Sequence, residues 1–227
     1  MINFMQIELR SKQAVAKGFT LFEFETFGEN LEFIPGQFFS LTLINPPFTD
    51  NRGNSRFIGF TNPPHQNLVQ MVIRNGESAF KRSLMQMSVG ETANLDKING
   101  RIDLPKDPQK PVVFIAHGIG IAPIICILRS VKLNNLPYNI SLVFINNSRE
   151  EAPFYDELES YAKQNLKFKF FPSDAISDEF IKQNIPNLND NLYFIKGEQF
   201  FVIPSLQLLE NLGIDANKIS TEIFTGY

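Results

Sequence analysis

The 227-residue sequence predicts an antiparallel β-barrel over residues 1–106, followed by an α/β part with a parallel sheet over residues 107–227. Three observations predict it. Short segments of period-2 alternation crowd the first half, strand-like and helix-like segments alternate in the second, and Pro105, Pro108 and Pro111 punctuate the change of period.

In the first half the alternating, β-branched or aromatic segments run from Phe4 to Arg10, Phe19 to Thr26, Phe38 to Ile44, Arg56 to Thr61, Leu68 to Arg74 and Glu91 to Leu95. Turn residues separate them, among them Phe27-Gly28-Glu29-Asn30, Pro35-Gly36 and Asn51-Arg52-Gly53-Asn54. Only Ser78 to Met87 has helical spacing, so the strands have mainly one another to pack on and a barrel follows. Charged Lys106, Asp107 and Lys110 beside the prolines mark the boundary. Beyond it, apolar strands near Val112 to Ala116, Ile140 to Ile145, Phe168 to Phe171, Leu192 to Ile195 and Ile219 to Phe224 alternate with helical stretches. Those stretches are Ile121 to Leu133, Phe154 to Asn165, Asp178 to Asn184 and Phe200 to Leu212. The alternation implies right-handed βαβ units and hence a Rossmann-like parallel sheet.

With 43% hydrophobic and 20% charged residues, the chain has enough apolar material for a core at each end. A formal charge of −3 and scattered Lys and Arg provide no basic stripe for nucleic acid. Cys126 is the sole cysteine, which excludes an internal disulfide and a four-cysteine iron–sulfur cluster. With only His65 and His117 beside it, it also excludes a structural zinc site. No metal site and no catalytic triad are expected, so redox chemistry would come from an organic cofactor. Residues Met1 to Glu8 show no signal-peptide pattern. The most apolar window, Val112 to Leu128, is interrupted by His117, Gly118, Gly120 and Pro123. The expectation is a cytoplasmic protein without a membrane span.

Three clusters have residues suited to anions. The strand-to-helix turn His117-Gly118-Ile119-Gly120-Ile121-Ala122-Pro123 suits a dinucleotide, because glycines admit a close backbone approach and a helix N-terminus favours phosphate; it equally suits plain helix-on-sheet packing. Arg56-Phe57-Ile58-Gly59-Phe60-Thr61-Asn62 opens with a cation whose fork matches pyrophosphate oxygens, or which is simply a solvated strand residue. Arg74-Asn75-Gly76-Glu77-Ser78-Ala79-Phe80-Lys81 ends a strand and opens a helix. There Ser78 is a natural N-cap beside free amides, and the alternative is an ordinary cap with solvated cations.

Taken in order, the clusters resemble the ferredoxin-NADP reductase family over nearly the whole chain. Phe33-Ile34-Pro35-Gly36-Gln37-Phe38-Phe39 is similar to the family's Pro-Gly-Gln followed by an aromatic at the entry to a barrel strand. The family lines its flavin with an Arg, any residue, an aromatic and a Ser or Thr. Arg56, Phe57, Ile58 and Gly59 stand in that order here, with Thr61 and Asn62 completing the turn. Ile58 and Gly59 depart from the pattern. The lost aromatic removes a stacking partner worth roughly 0.5–1.5 kcal/mol, and the lost hydroxyl removes a hydrogen bond to the reactive edge of the flavin.

Arg74, Gly76, Ser78, Ala79, Phe80 and Lys81 look like the family's phosphate-binding strand and helix, and the stretch from Gly100 to Pro105 is similar to the close of the barrel. Gly118, Ile119, Gly120, Ile121, Ala122 and Pro123 are similar to the nicotinamide turn, with His117 where a Gly is usual. Ser148 and Arg149, ahead of Phe154-Tyr155-Asp156-Glu157-Leu158, resemble the segment that meets the adenosine ribose. They suit either a 2′-phosphate or a solvated loop and leave NADH and NADPH open. Lys196, Gly197 and Glu198 stand at the family's Cys-Gly-Pro turn, where only the Gly matches. In the ending Thr221 to Tyr227, Phe224 or Tyr227 would cover the flavin, or else finish a strand and fray.

The resemblance implies an NAD(P)H-dependent flavin oxidoreductase with FAD in the barrel, FMN being the alternative. NAD(P)H would bind at the carboxyl ends of the parallel strands. The electron acceptor stays open among a ferredoxin, a partner subunit, a quinone and a small dye-like molecule. Two other readings stand beside it: a flavin reductase that takes free flavin as substrate, and a non-catalytic electron-transfer or regulatory subunit.

Overall fold

The computed structural model describes residues 4–100, 102–164, 166–173 and 176–224. The chain divides into two compact units, one of Met1–Ile102 with Ala122–Leu133, the other of Asp103–Ile121 with Asn134–Tyr227.

The first unit is a six-stranded antiparallel sheet of β1 (Met5–Ala16), β2 (Phe19–Glu25), β3 (Phe38–Leu43), β4 (Ser55–Gly59), β5 (Leu68–Arg74) and β6 (Thr92–Asn99), in the order β4-β3-β6-β1-β2-β5. Alternation places Ile7 and Leu9 of β1, Phe22 and Phe24 of β2, Phe39 and Leu41 of β3 and Met71 of β5 in one core. Phe60 joins them, stacked on Phe33 with ring centroids 3.9 Å apart. Strand β1 runs six residues beyond the predicted Arg10. Bulges near Leu9–Ser11 and Ala14–Ala16 shift its register, and the ladder to β2 holds the polar stretch Ser11–Gln13 in the sheet where local alternation is lost. Helix α1 (Ala79–Gln86) follows β5, and Lys12 Nζ donates to the carbonyls of Met85 and Met87 at 2.6 and 2.8 Å, satisfying its C-terminal end.

The sheet is barrel-like but not closed: its edge strands β4 and β5, which flank the seam, carry no ladder between them. The chain leaving β4 bonds to Gln70 instead: Thr61 N donates to Gln70 O at 2.9 Å, and Asn62 Oδ1 accepts from Gln70 N at 2.8 Å. Helix α2 (Ile121–Leu133) adds Arg129, whose Nη1 donates to Thr61 O at 2.9 Å and to Gln70 Oε1, while Cys126 Sγ donates to Asn62 O at 3.0 Å. Burial pushes the Cys126 thiol up to about 12, so it stays a neutral core group.

The second unit is a parallel sheet of β7 (Val112–His117), β8 (Ile140–Asn146), β9 (Lys167–Pro172), β10 (Leu192–Gly197) and β11 (Ile219–Ile223), ordered β11-β10-β7-β8-β9. Helices α3 (Tyr155–Ala162), α4 (Asp178–Asn184) and α5 (Gln199–Asn211) complete the crossovers. Val113, Ile115, Val143, Tyr193 and Ile195 form one apolar face with Ile181 and Ile185 of the α4 segment and Phe201, Val202 and Leu209 of α5. The strands step outward from β7 in both directions, so the order reverses between β7 and β10, the switch point at whose carboxyl ends open α/β sheets bind ligands.

Candidate functional site

In the first unit, strand alternation separates the residues of the predicted flavin motif. Arg56 and Ile58 face inward, the Arg56 side chain 11% exposed, while Phe57 is 61% exposed and lies edge-on to Phe38. Arg56 Nη1 donates to the carbonyls of Arg52, Gly53 and Ser55 at 3.1, 3.1 and 2.7 Å. The opposite edge, Nε with Nη2, is buried without a hydrogen-bond partner, and Asp50 Oδ1 stands 3.9 Å from Nη2, beyond hydrogen-bond reach. Leaving such donors unmet costs about 1–3 kcal/mol each, and this is the edge that grips a phosphate in bidentate fashion. The geometry fits a phosphate-bearing cofactor.

The fold brings the third sequence cluster to the same place. The Arg56 guanidinium lies 5.2 Å from the ring centroid of Phe80, in the first turn of α1. Ser78 Oγ accepts from Lys81 N at 3.4 Å, and no acidic residue occupies that turn, so its positive dipole end is uncompensated. Lys81 lies over Gly76, where an added Cβ would stand 3.2 Å from Lys81 Cδ. Ala79 is half-buried, and Arg74 is exposed at the end of β5. Thr61 and Asn62 turn into the seam, where Thr61 Oγ1 donates to Gln70 Oε1 at 3.0 Å and Asn62 Nδ2 donates to Leu68 O at 3.0 Å. A Cβ on Gly59 would meet Pro123 Cδ at 3.6 Å and Ala122 Cβ at 3.7 Å, ordinary contacts, so packing does not force the missing hydroxyl.

In the second unit the glycine turn Gly118–Gly120 lies against the end of β10. A Cβ on Gly120 would fall 2.2 Å from the Lys196 carbonyl oxygen and 2.9 Å from Gly197 N, so only glycine permits this approach. Gly118 takes φ +53°, Ile119 is half-buried, and Ile121, Ala122 and Pro123 are buried. Gly197 is tight but less confined, since a Cβ there would lie 3.1 Å from His117 Cβ and 3.3 Å from Phe201 Cδ1. The His117 ring stacks on Phe201 at 4.9 Å and meets Phe200 edge-on at 5.1 Å, which packs it on α5, while Glu198, that helix's N-cap, is half-buried.

Sequence reasoning missed an ion pair at this turn. Lys196, only 4% exposed, pairs through Nζ with Glu222 Oε2, its direct register partner on β11. Lys196 and Glu222, opposite charges on neighbouring strands, were the available signal. Phe224 N donates to Gly197 O at 2.8 Å, so the backbone just past β11 is tied to the same turn. Tyr227 lies outside the described residues.

The loop after β8 is fixed by Asn146, whose Nδ2 donates to Glu151 O at 2.7 Å, and by buried Phe154 in the left-handed region at φ +64°. Half-buried Ser148 precedes Arg149. Arg149 Nη2 donates to Asp156 Oδ1 at 2.8 Å and lies 3.7 Å from Glu159 Oε2, and the guanidinium covers the Tyr155 ring at 4.2 Å. Among the described residues no group of three or more His, Cys, Asp or Glu gathers to hold a metal, and no helix is long and apolar enough to cross a membrane.

No family model matches the chain. Among curated proteins it is 22% identical over 213 residues to terephthalate 1,2-dioxygenase reductase component 1 of a Comamonas species, covering 87% of this chain and 61% of that protein. It is 26% identical over 170 residues to the 2-halobenzoate 1,2-dioxygenase electron transfer component of Burkholderia cepacia, covering 69% of this chain and 47% of that protein. The chain thus spans 61% and 47% of these relatives' length. Among solved structures, the FAD/NAD-binding domain of a nitric oxide dioxygenase from Vibrio cholerae superposes with a TM-score of 0.85 at 20% identity, covering 97% of this chain and 98% of that one. Ferredoxin-NADP+ reductase from Plasmodium falciparum gives 0.81 at 15% identity, covering 98% and 97%. Phthalate dioxygenase reductase gives 0.77 at 19% identity, covering 97% and 68%. The chain has the fold of the ferredoxin-NADP reductase-like FAD/NAD-binding domains.

Proposed function

We propose that the chain is the flavin- and nicotinamide-binding part of an NAD(P)H-dependent reductase that hands electrons to a separate acceptor. The observation that carries this reading is the end-to-end match, over nearly the full length of both chains, to a domain named for binding FAD and NAD. The relatives that are reductase components of dioxygenases support the electron-transfer role. The phthalate dioxygenase reductase, described as moving electrons from pyridine nucleotides to [2Fe-2S], makes an iron–sulfur carrier the first acceptor to test. A cytoplasmic location belongs to the same proposal.

Bound flavin would supply the ring that accepts hydride from a nicotinamide and releases electrons to the acceptor. The chain's residues hold and align. The Nε–Nη2 edge of Arg56, the N-terminal end of α1 and Lys81 grip the flavin phosphates. The Gly118–Gly120 turn and Gly197 present backbone to the dinucleotide at the switch point. Lys196 and Glu222 hold β11 to β10, keeping Phe224 hydrogen-bonded to that turn.

A second reading, turnover of free flavin as substrate, is favoured by one observation: Ile58 and Gly59 provide neither a stacking ring nor a hydroxyl. The visible spectrum of the purified protein, before and after anaerobic NADH or NADPH, separates these readings. A bound-flavin spectrum that bleaches is expected. A colourless protein that oxidises nicotinamide only when flavin is added supports the second reading, and one that binds neither FAD nor FMN overturns both.

A further inference from the structure

The chemistry of the loop between β8 and α3 bears on which nicotinamide is used. In a doubly wound sheet, the loop after the second strand reads the adenosine ribose. A carboxylate there suits the free 2′-hydroxyl, whereas a 2′-phosphate calls for available cations. From Asn147 to Glu159 the sequence offers one cation, Arg149, against Glu150, Glu151, Asp156, Glu157 and Glu159.

The structure also commits that cation. Arg149 is held on one side by Asp156 at 2.8 Å, with Glu159 at 3.7 Å, and on the other by the face of Tyr155. Asp156 stands in the first turn of α3, where the helix dipole favours a carboxylate, so the nearest anionic partner of Arg149 is the protein's own side chain. The loop does not drift freely around this pair, because Asn146 ties it to Glu151 O and Phe154 anchors its end in the core.

We propose that this loop selects NADH over NADPH, with the Asp156–Arg149 pair as the specificity determinant. The inference rests on the nicotinamide-binding reading above. A 2′-phosphate, carrying close to two negative charges, meets a net acidic loop whose one cation is already engaged, while a 2′-hydroxyl meets carboxylates that accept its hydrogen bond.

The test compares NADH with NADPH as reductants of the flavin-loaded full chain, and AMP with 2′-phospho-AMP as ligands by calorimetry. The unmodified protein is expected to favour NADH in kcat/KM, and AMP in affinity, by about tenfold or more. The double variant Asp156→Asn with Glu159→Gln releases Arg149 without touching the glycine turns. It is expected to narrow both ratios by about tenfold, chiefly by gain on the phosphorylated ligand. A preference for NADPH and 2′-phospho-AMP, or ratios that the double variant leaves unmoved, overturns the inference while the reductase reading stands. Failure to bind either dinucleotide or either mononucleotide overturns the reductase reading itself, and this inference with it.

Discussion

At the scale of single residues, Arg56 and Gly120 make the sharpest demands. Arg56 spends one edge of its guanidinium on three carbonyls of the loop before it and leaves the other buried and unmet. A charged hydrogen bond is worth about 1.5–3 kcal/mol, so Arg56→Ala is expected to weaken FAD binding by about 10- to 100-fold. Quenching of flavin fluorescence on titration measures it, and an unchanged affinity would remove Arg56 from the site. Gly120 faces a backbone carbonyl at 2.2 Å from any added Cβ, and backbone cannot rotate aside as a side chain can. Gly120→Ala is therefore expected to cost about 3 kcal/mol in urea unfolding and to impair nicotinamide binding; a variant of unaltered stability would show that the turn has room to move.

At the scale of elements, the barrel seam departs from what alternation alone predicts. Strands β4 and β5 do not ladder; Gln70 of β5 joins the chain leaving β4 through its backbone and through its side-chain Oε1, which accepts from Thr61 Oγ1 at 3.0 Å. Arg129 of α2 completes this network from a segment 59 residues away in sequence. Removing it leaves the Thr61 carbonyl and Gln70 Oε1 short of a charged donor, so Arg129→Ala is expected to lower unfolding free energy by about 1–3 kcal/mol. Chemical denaturation followed by circular dichroism measures the loss, and a change below about 0.5 kcal/mol would mean that water replaces the guanidinium. The predicted elements themselves were recognisable: all six strands of the first half and all five of the second correspond to segments of alternating or apolar residues.

At the scale of the whole molecule, the compact units do not follow the proline boundary alone. Helix α2 lies in sequence after the first parallel strand, yet from Ala122 onward its residues cluster with the first unit, where Cys126 joins the core and Ile127 Cδ1 lies 3.1 Å from a Cβ built on Gly36. A fragment of residues 1–106 would lack that covering. It is expected to bind hydrophobic dyes and to unfold without a sharp transition, whereas the full chain unfolds cooperatively. A fragment with a native near-ultraviolet spectrum would show instead that the barrel carries its own stability.

The sequence by itself determined the two architectures, the glycine turns and the cationic strand motif, because each depends on local period or on a backbone conformation that one residue type permits. The motif's inward and outward faces were implicit in the same alternation, with Arg56 and Ile58 on one side and Phe57 on the other. Only the tertiary structure decided how those residues are used. Thr61 and Asn62, read as cofactor contacts, have side-chain hydrogen bonds in the seam. Arg149, read as a candidate 2′-phosphate ligand, is already paired. Lys196, seen only as a departure from a motif, forms a buried ion pair with Glu222. The physical reason is common to all of these: a polar side chain's role is set by which partner lies within about 3 Å, and those partners come from strands and helices that the chain brings together only when it folds.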